Sequence, residues 1–553
     1  MEIAKVLQAA KKLGSSVLDD LDIKQVLAEL KEIDNTTGKK LVEDVQGKYP
    51  EKVTEFLEIF KALTTDVKGR TYKGNVADHV YEYRQWLEQT YKTLFTLHFL
   101  DPGIREYLTG VLKGKDVFLQ GYKTTARDRK ANDGRGGIPQ RMYYEFQNSV
   151  AALSKQDAMQ FVMNPGKCVV ATLLGVPNEI FIAMDLTPFY VDNLAVLIRG
   201  GDQHGSIRYL DECEKIGVSS DTCSYPRIYT GVALDNQYFE NMACSVFSNC
   251  ACDSAMQAYG MIEDKLKLPS FRVDEPYRFH SEAGKKSLVK QMYDLIAFLE
   301  KHTGNKMDWD KLKAACEIYN KWQEIELERW EMQSLDKPPI PGDLMFLTHM
   351  MGFMYAGRED ILAQMEKQME LTREMVKRNE CGTKNMKYRA LLWNPPPGVY
   401  NNFWNWMEQC WGVGILNNME VFGCYQYIDT SSEESMMTTM AYRSAHVPMS
   451  QHTRGDIKNF FGDLWKAYEL NRSDFLILMD HTGCHPVTSV NGMLHDECRK
   501  RKIKMVDVRQ DLGDVRVVSH QGIRNQVNNF MTNILNATPL RPELMVFDDD
   551  QEW

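Results

Sequence analysis

The chain has 553 residues, is 43% hydrophobic and 26% charged, and carries a formal net charge of −10. These are the proportions of a soluble globular protein, long enough for about three to four domains. With no basic excess to neutralise a phosphate backbone, the balance argues against a general nucleic-acid binder, although a local basic pocket for an anionic ligand remains open. No apolar run approaches the roughly 18 residues of a membrane span. The stretch Met1 to Gly14 is interrupted by Lys5, Lys11 and Lys12, unlike an export signal. A cytoplasmic location, away from membranes, is expected.

In chain order, residues 1–120 read as a helical N-terminal region, with apolar residues at three- and four-residue spacing (Val26, Leu27, Leu30; Val53, Phe56, Leu57, Phe60). Gly121 to Gln140 is rich in glycine and charge and reads as a loop. A first α/β domain is expected over 121–285. Its predicted strands are Cys168 to Leu174, Cys244 to Ser248 and Phe271 to Val273, with one helix starting near Val176 and another in Cys250 to Tyr259, helix-like after its first residues. Residues 286–385 form a helical connector, broken once by Pro338, Pro339 and Pro341. A second α/β domain follows over 386–553. Tyr388 to Trp393, Gly412 to Val421, Phe475 to Met479 and Lys504 to Val508 supply its strands. Helices are predicted over Trp404 to Trp411, Ser489 to Arg501 and Ile523 to Leu535. Strands alternating with helices predict parallel sheets, so the fold class is α/β: two doubly wound parallel-sheet units joined by helices, with a helical N-terminal region.

Such sheets bind ligands beyond the carboxyl ends of their strands. Cys252 and Cys484 fall there, and Cys223, just ahead of a helix-like segment, can reach the same crevice. In a reducing compartment most of the 12 cysteines are expected to be inert apolar residues, as Cys316 and Cys410 read in their helical patterns. Thiols on loops suggest a metal or cluster site instead, and three ligands leave a coordination position open. Three unrelated buried cysteines are the plain alternative, since no Cys-x-x-Cys pair is present. Cys250 competes with Cys252 two residues away. A zinc site closed by His481 or His485 is a further reading, although the dense ligand spacing of structural zinc is missing. Glu179, in a helix-opening Pro-Asn-Glu, is an acid/base candidate or a capping carboxylate. His204, in the polar loop Gly200 to Gly205, is an acid/base candidate or part of a surface turn. Trp404, Trp406 and Trp411 read as core. There is no P-loop, dinucleotide fingerprint or nucleophile elbow.

Several ordered pieces between about 165 and 537 resemble the 2-hydroxyacyl-CoA dehydratase and benzoyl-CoA reductase family. They are Val-Pro-Asn-Glu at 176–179, Cys-Ser-Tyr-Pro-Arg at 223–227, Cys-Asp at 252–253, Val-Asp-Glu-Pro-Tyr at 273–277 and Leu-Glu-Lys-His-Thr-Gly at 299–304. Gly-Cys at 483–484 and Arg-Asn-Gln-Val-Asn-Asn-Phe at 524–530 complete the set. The resemblance implies a 4Fe–4S cluster held by Cys223, Cys252 and Cys484 with one iron free of protein thiolate. It also implies an acyl-CoA or aryl-CoA thioester as substrate, a related second subunit, and a separate ATP-dependent iron–sulfur activator that delivers one low-potential electron. In the dehydratases that electron generates a ketyl radical that expels hydroxide; in the reductases electrons enter an aromatic ring. The expected activity is dehydratase-type, a lyase, with a reductase-type subunit or a non-catalytic electron-relay or scaffold subunit as the alternatives. The region before residue 110 is longer than the family pattern, and the 29-residue interval from Cys223 to Cys252 is short for it, which keeps Cys250 as a substitute ligand.

Overall fold

A computed structural model describes residues 164–193, 195–196, 206–235, 242–250, 252–400, 402–419, 426–453 and 457–546, with residue 160 and short helical pieces at 137–139, 141–143 and 145–146. All of these fall in the second of the two units into which the chain divides, 119–553. The helical reading of 1–120, most of the 121–140 loop, and the Gly200–Gly205 loop with His204 lie outside the described residues. Residues 137–139, expected at the end of that loop, are helical.

The first α/β unit opens with β1 (Cys168–Ala171), α1 (Asn178–Ala183), β2 (Thr187–Tyr190), α2 (Ile207–Lys215) and α3 (Ser224–Asp235). It closes with β3 (Cys244–Ser248), α4 (Asp253–Leu266) and β4 (Ser270–Val273). Four long helices follow: α5 (Glu282–Thr303), α6 (Trp309–Gln333), α7 (Gly342–Tyr355) and α8 (Glu359–Lys377). The connector is therefore broken three times rather than once. Besides the prolines, Gly304 and Gly357 take positive φ (76° and 96°) and end a helix or turn the chain.

The second unit begins with β5 (Tyr388–Trp393), α9 (Phe403–Trp411), β6 (Val413–Asn418), α10 (Glu433–Ala445), α11 (Pro448–Thr453) and α12 (Ile457–Leu470). It ends with β7 (Phe475–His481), α13 (His485–Thr488), α14 (Asn491–Arg501), β8 (Lys504–Gln510) and α15 (His520–Asn533). No helix among the described residues is long and apolar enough to cross a membrane.

Both sheets are four-stranded and all-parallel, in the orders β2-β1-β3-β4 and β6-β5-β7-β8. In each, the first and third strands of the unit lie side by side, and the chain leaves them in opposite directions. That is the switch point where a crevice opens beyond the carboxyl ends. Three of the four inner strands are wholly buried, as parallel strands covered on both faces tend to be: Cys-Val-Val-Ala in β1, Cys-Ser-Val-Phe-Ser in β3 and Phe-Leu-Ile-Leu-Met-Asp-His in β7; in β5 only Tyr388 and Arg389 are half-buried. Edge strand β2, Thr-Pro-Phe-Tyr, was not expected from the sequence. Pro188 has no N–H to donate, and a strand containing it is confined to an edge.

The first sheet's core draws on Leu288, Met292, Leu295 and Leu299 of α5. It also draws on Met436, Met437, Met440 and Ala441 of α10, which lies in the second half of the sequence. At about 2 kcal/mol for each large side chain buried, this is a substantial tie between segments 150 residues apart in the chain. The second sheet is covered on one face by α9 and α15, through Trp406, Trp411, Val527 and Phe530. Its other face is covered by α7, α12 and α14, through Leu344, Met345, Leu464 and Leu494. Trp404, Trp406 and Trp411 are core residues as read, and Cys316 and Cys410 are buried in helices.

Candidate cysteine-lined site

Each of the three predicted thiols stands immediately before a helix. The Cys223 carbonyl accepts from Arg227 N–H (3.4 Å), that of Cys252 from Met256 N–H (3.1 Å) and that of Cys484 from Thr488 N–H (2.9 Å). Each cysteine is thus the residue from which its helix starts. Cys252 is extended (φ −149°, ψ 167°), as an N-cap residue should be. Pro226 and Pro486 fall in the first turns of α3 and α13, where a missing N–H costs nothing. Cys252 lies just past β3 and Cys484 just past β7, the third strand of each unit, so both face the switch-point crevice. Cys223 is brought in by α3. Helix α3 packs against α2 with Gly231 so close to Tyr209 that a Cβ there would lie 1.9 Å from its carbonyl oxygen.

The turns of Cys223 and Cys484 touch. A Cβ on Gly483 would sit 2.7 Å from Cys223 Cα and 2.9 Å from its nitrogen. Only a residue without a side chain allows the two backbones to approach this closely. His481, the last residue of β7, is fully buried and places Nε2 3.1 Å from Cys223 Sγ and Nδ1 3.6 Å from Asp511 Oδ2. Beneath the Cys223 turn, Arg227 is 1% exposed and donates to the Thr222 carbonyl (3.0 Å) and to Glu214 (2.7 Å), with Asp514 at 3.7 Å. Arg516 donates in turn to Asp211, Glu214 and Asp514. This network, buried at Arg227 and Asp514 and open to solvent at Arg516 and Asp211, ties α2 and α3 of the first unit to the segment after β8 of the second.

The electrostatics place the sulfurs together. Burial pushes the Cys223 thiol well up, and the neighbouring Cys252 and Cys484 sulfurs push it further, while the Tyr225 N–H pulls it down. Burial likewise raises Cys252, against the first N–H groups of α4, those of Ala255 and Ser254. Both shifts favour the protonated thiol at Cys223 and Cys252. A bound cationic centre reverses that balance, because a coordinating thiol is deprotonated by the metal's own charge. Helices of 12 and 14 residues starting at Cys223 and Cys252 add favourable dipoles for negative sulfur.

Buried polar atoms without partners lie close by: Ser224 Oγ, Tyr229 Oη, and both side-chain atoms of Gln510, which pairs with His481 in the β7–β8 ladder. Such orphans are rare in native proteins and mark places where a further ligand, ion or water belongs. Three thiols on rigid helix starts, with unmet polar groups around them, fit a sulfur-ligated inorganic group. Among the described residues no three or more His, Cys, Asp or Glu side chains are grouped closely enough to hold a single metal ion.

The other predicted residues fall elsewhere. Cys250 is fully buried, with Sγ against Ser450 Oγ. Glu179 is buried in α1, and both its oxygens are engaged by Arg443 (2.6 and 2.8 Å). The guanidinium lies 4.1 Å from the centroid of the Tyr319 ring, and the Glu179 charge, working against burial, raises the Arg443 pKa. Glu179, Arg443, Tyr319, Trp322 and Gln323 line a cavity of about 40 Å³ that includes none of the three thiols. Removing one partner of a buried pair leaves an uncompensated charge. Glu179→Gln is therefore expected to lower unfolding stability by about 3 kcal/mol, read from urea titrations; unchanged stability would show that the pair is not structural.

Sequence reasoning missed Asp192, Tyr229 and Tyr259, which flank the thiols. Asp192 accepts from Thr172 Oγ1 (2.9 Å), Leu173 N–H (3.0 Å) and Tyr259 Oη (3.2 Å). Burial raises its pKa and these donors lower it, with burial prevailing. No spacing rule connects Asp192 to Cys252, so only the fold reveals them as neighbours.

No curated protein matches the chain. The family model for the 2-hydroxyglutaryl-CoA dehydratase D-component does match, over residues 173–534, a span that holds the second sheet, the first sheet except β1, and all three cysteines. The chain belongs to the 2-hydroxyglutaryl-CoA dehydratase D-component family.

Proposed function

We propose that the chain is the iron–sulfur subunit of a 2-hydroxyacyl-CoA dehydratase-type enzyme, with Cys223, Cys252 and Cys484 holding a 4Fe–4S cluster. The observation that carries the reading is the meeting of three helix-start cysteines from two sheets at one crevice, inside the matched family span. When bound, such a cluster offers an iron without protein thiolate and passes on one low-potential electron, the chemistry by which a 2-hydroxyacyl thioester loses water through a ketyl radical.

The chain's own residues do the rest. The Arg227 network and the Gly483–Cys223 contact hold the two units at the spacing the thiols need. His481 and the Tyr225 and Ala255 N–H groups face the sulfurs and stabilise negative charge on them. A thioester would enter beyond the carboxyl ends of β1 and β3 and of β5 and β7, where sheets of this kind bind ligands. A related partner subunit and an ATP-dependent iron–sulfur activator complete the enzyme in this reading, and the site works in a reducing, cytoplasmic setting.

The test is purification without oxygen, followed by iron and acid-labile sulfide analysis, identification of co-purifying protein, and turnover with 2-hydroxyacyl-CoA against aryl-CoA thioesters. Cluster-dependent water loss from the hydroxyacyl substrate is expected. Turnover of aryl-CoA alone would make the chain a reductase-type subunit. A cluster with no acyl-CoA binding would make it a relay or scaffold, and absence of iron would overturn the reading.

A further inference from the structure

Helices α3 and α4 each start at a cysteine, and each carries a tyrosine about two turns on. Tyr229 follows Cys223 by six residues and Tyr259 follows Cys252 by seven. The two rings are nearly parallel, with centroids 6.0 Å apart and an interplanar angle of 11°, and Phe247 stacks on Tyr259 at 4.5 Å. Long side chains on a helix lean back toward its N-terminus, so both phenols lean toward the sulfurs that begin their helices.

The two hydroxyls differ in how their protons are used. Tyr259 Oη lies 2.7 Å from Thr172 Oγ1 and 3.2 Å from Asp192 Oδ1, while Thr172 donates to the other Asp192 oxygen at 2.9 Å. With the Thr172 proton given to Asp192, the single Tyr259 proton is taken up within this Thr–Asp group. Tyr229 Oη makes no hydrogen bond of good geometry, although the residue is 1% exposed, and its one polar side-chain engagement is a weak one with the Tyr259 hydroxyl. A buried hydroxyl left this way costs about 1–3 kcal/mol, so a permanent orphan is improbable in a native protein. Burial holds its proton on firmly, and the titratable groups Tyr259, Asp192, Cys252 and Cys223 act in the same direction. Two sulfurs from two different helices therefore lie within its electrostatic reach.

We propose that the Tyr229 hydroxyl donates a hydrogen bond to sulfur of the group held by Cys223 and Cys252, with Tyr259 and Asp192 fixing its orientation. This rests on the iron–sulfur reading above. The nearby alternative acceptor is the neutral phenol oxygen of Tyr259. A metal-bound sulfur carries negative charge, and hydrogen bonds to charged acceptors are about twice as strong as neutral ones. A donor to sulfur favours the more negative, reduced state and so raises the reduction potential of the site.

The experiment compares the full chain with Tyr229→Phe, both purified without oxygen and titrated for midpoint potential and iron. Tyr190→Phe serves as a control for loss of a buried phenol, since its hydroxyl donates to Asn178 Oδ1 (2.8 Å). Tyr229→Phe is expected to keep its iron while the one-electron reduction equilibrium falls roughly tenfold, a shift of about 59 mV to more negative potential; Tyr190→Phe is expected not to move it. Full iron with an unmoved potential in Tyr229→Phe, or an equal shift in both variants, overturns the Tyr229 assignment and leaves the cluster standing. An unaltered chain that holds no iron overturns both.

Discussion

The Cys484→Ala chain, purified without oxygen, is expected to keep its fold and to lose its iron and acid-labile sulfide, to under about a tenth of the unaltered content. Cys484 is the one thiol of the three supplied by the second unit; the variant leaves Cys223 and Cys252, both from the first, with nothing opposite them. The effect on folding should be small. Cys484 is partly exposed at the start of a four-residue helix, and substitutions of that kind usually stay within about 0.5 kcal/mol. Circular dichroism and a urea titration check the fold, and the 4Fe–4S absorbance checks the site. Cys223→Ala and Cys252→Ala should behave alike. Cys250→Ala should keep its iron, because that sulfur is packed against Ser450 in the interior. Full iron in Cys484→Ala would sink the three-thiol site. Loss in Cys250→Ala with retention in Cys252→Ala would move the ligand two residues back.

Gly483→Ala is expected to disable the site without touching a sulfur. Its added methyl would meet Cys223 Cα at 2.7 Å, Cys223 N at 2.9 Å and Thr222 C at 3.1 Å. All three are backbone atoms, so no flexible side chain can move aside. The turns bearing Cys223 and Cys484 must separate, at a cost of about 1–3 kcal/mol by analogy with overpacked cores. The fault is one of spacing, so the chain should fold yet retain iron poorly, and a melting curve read beside the iron content separates the two effects. Gly492→Ala is the comparison, since nothing lies within 4 Å of the added atom. Iron content equal to that of the unaltered chain in Gly483→Ala would show that the two turns need not touch.

Much of this arrangement was legible in the amino-acid order. β3 and β5 fall where their apolar runs begin and end, and β7 and β8 extend each predicted run by two residues, because buried parallel strands write themselves as short continuous apolar stretches. Cys252 and Cys484 could be placed beyond strand ends for the same reason. Strand β2 could not be read, since Thr187–Tyr190 contains a proline and is only partly buried. The helix Asp253–Leu266 begins directly after Cys252, as expected of a stretch that turns helical only after its first residues. Gly483, legible only as a neighbour of Cys484, makes room for the backbone of Cys223. Contacts between distant segments, such as Arg227 with Asp514 and His481 with Cys223, have no local signature and emerge only when both sheets are folded.

The two sheets repeat one strand order, and with it one plan: a helix leads into the third strand, and a cysteine follows that strand. The first unit places a second thiol at the start of its lead-in helix α3. In the second unit the stretch just ahead of α12 reads Arg454-Gly455-Asp456 and contains no sulfur. A fully symmetric duplication would enclose its cargo from four corners. In the proposed reading this chain supplies three thiols, two from the first unit and one from the second, so the position left open is the one that a second thiol of the second unit would have filled.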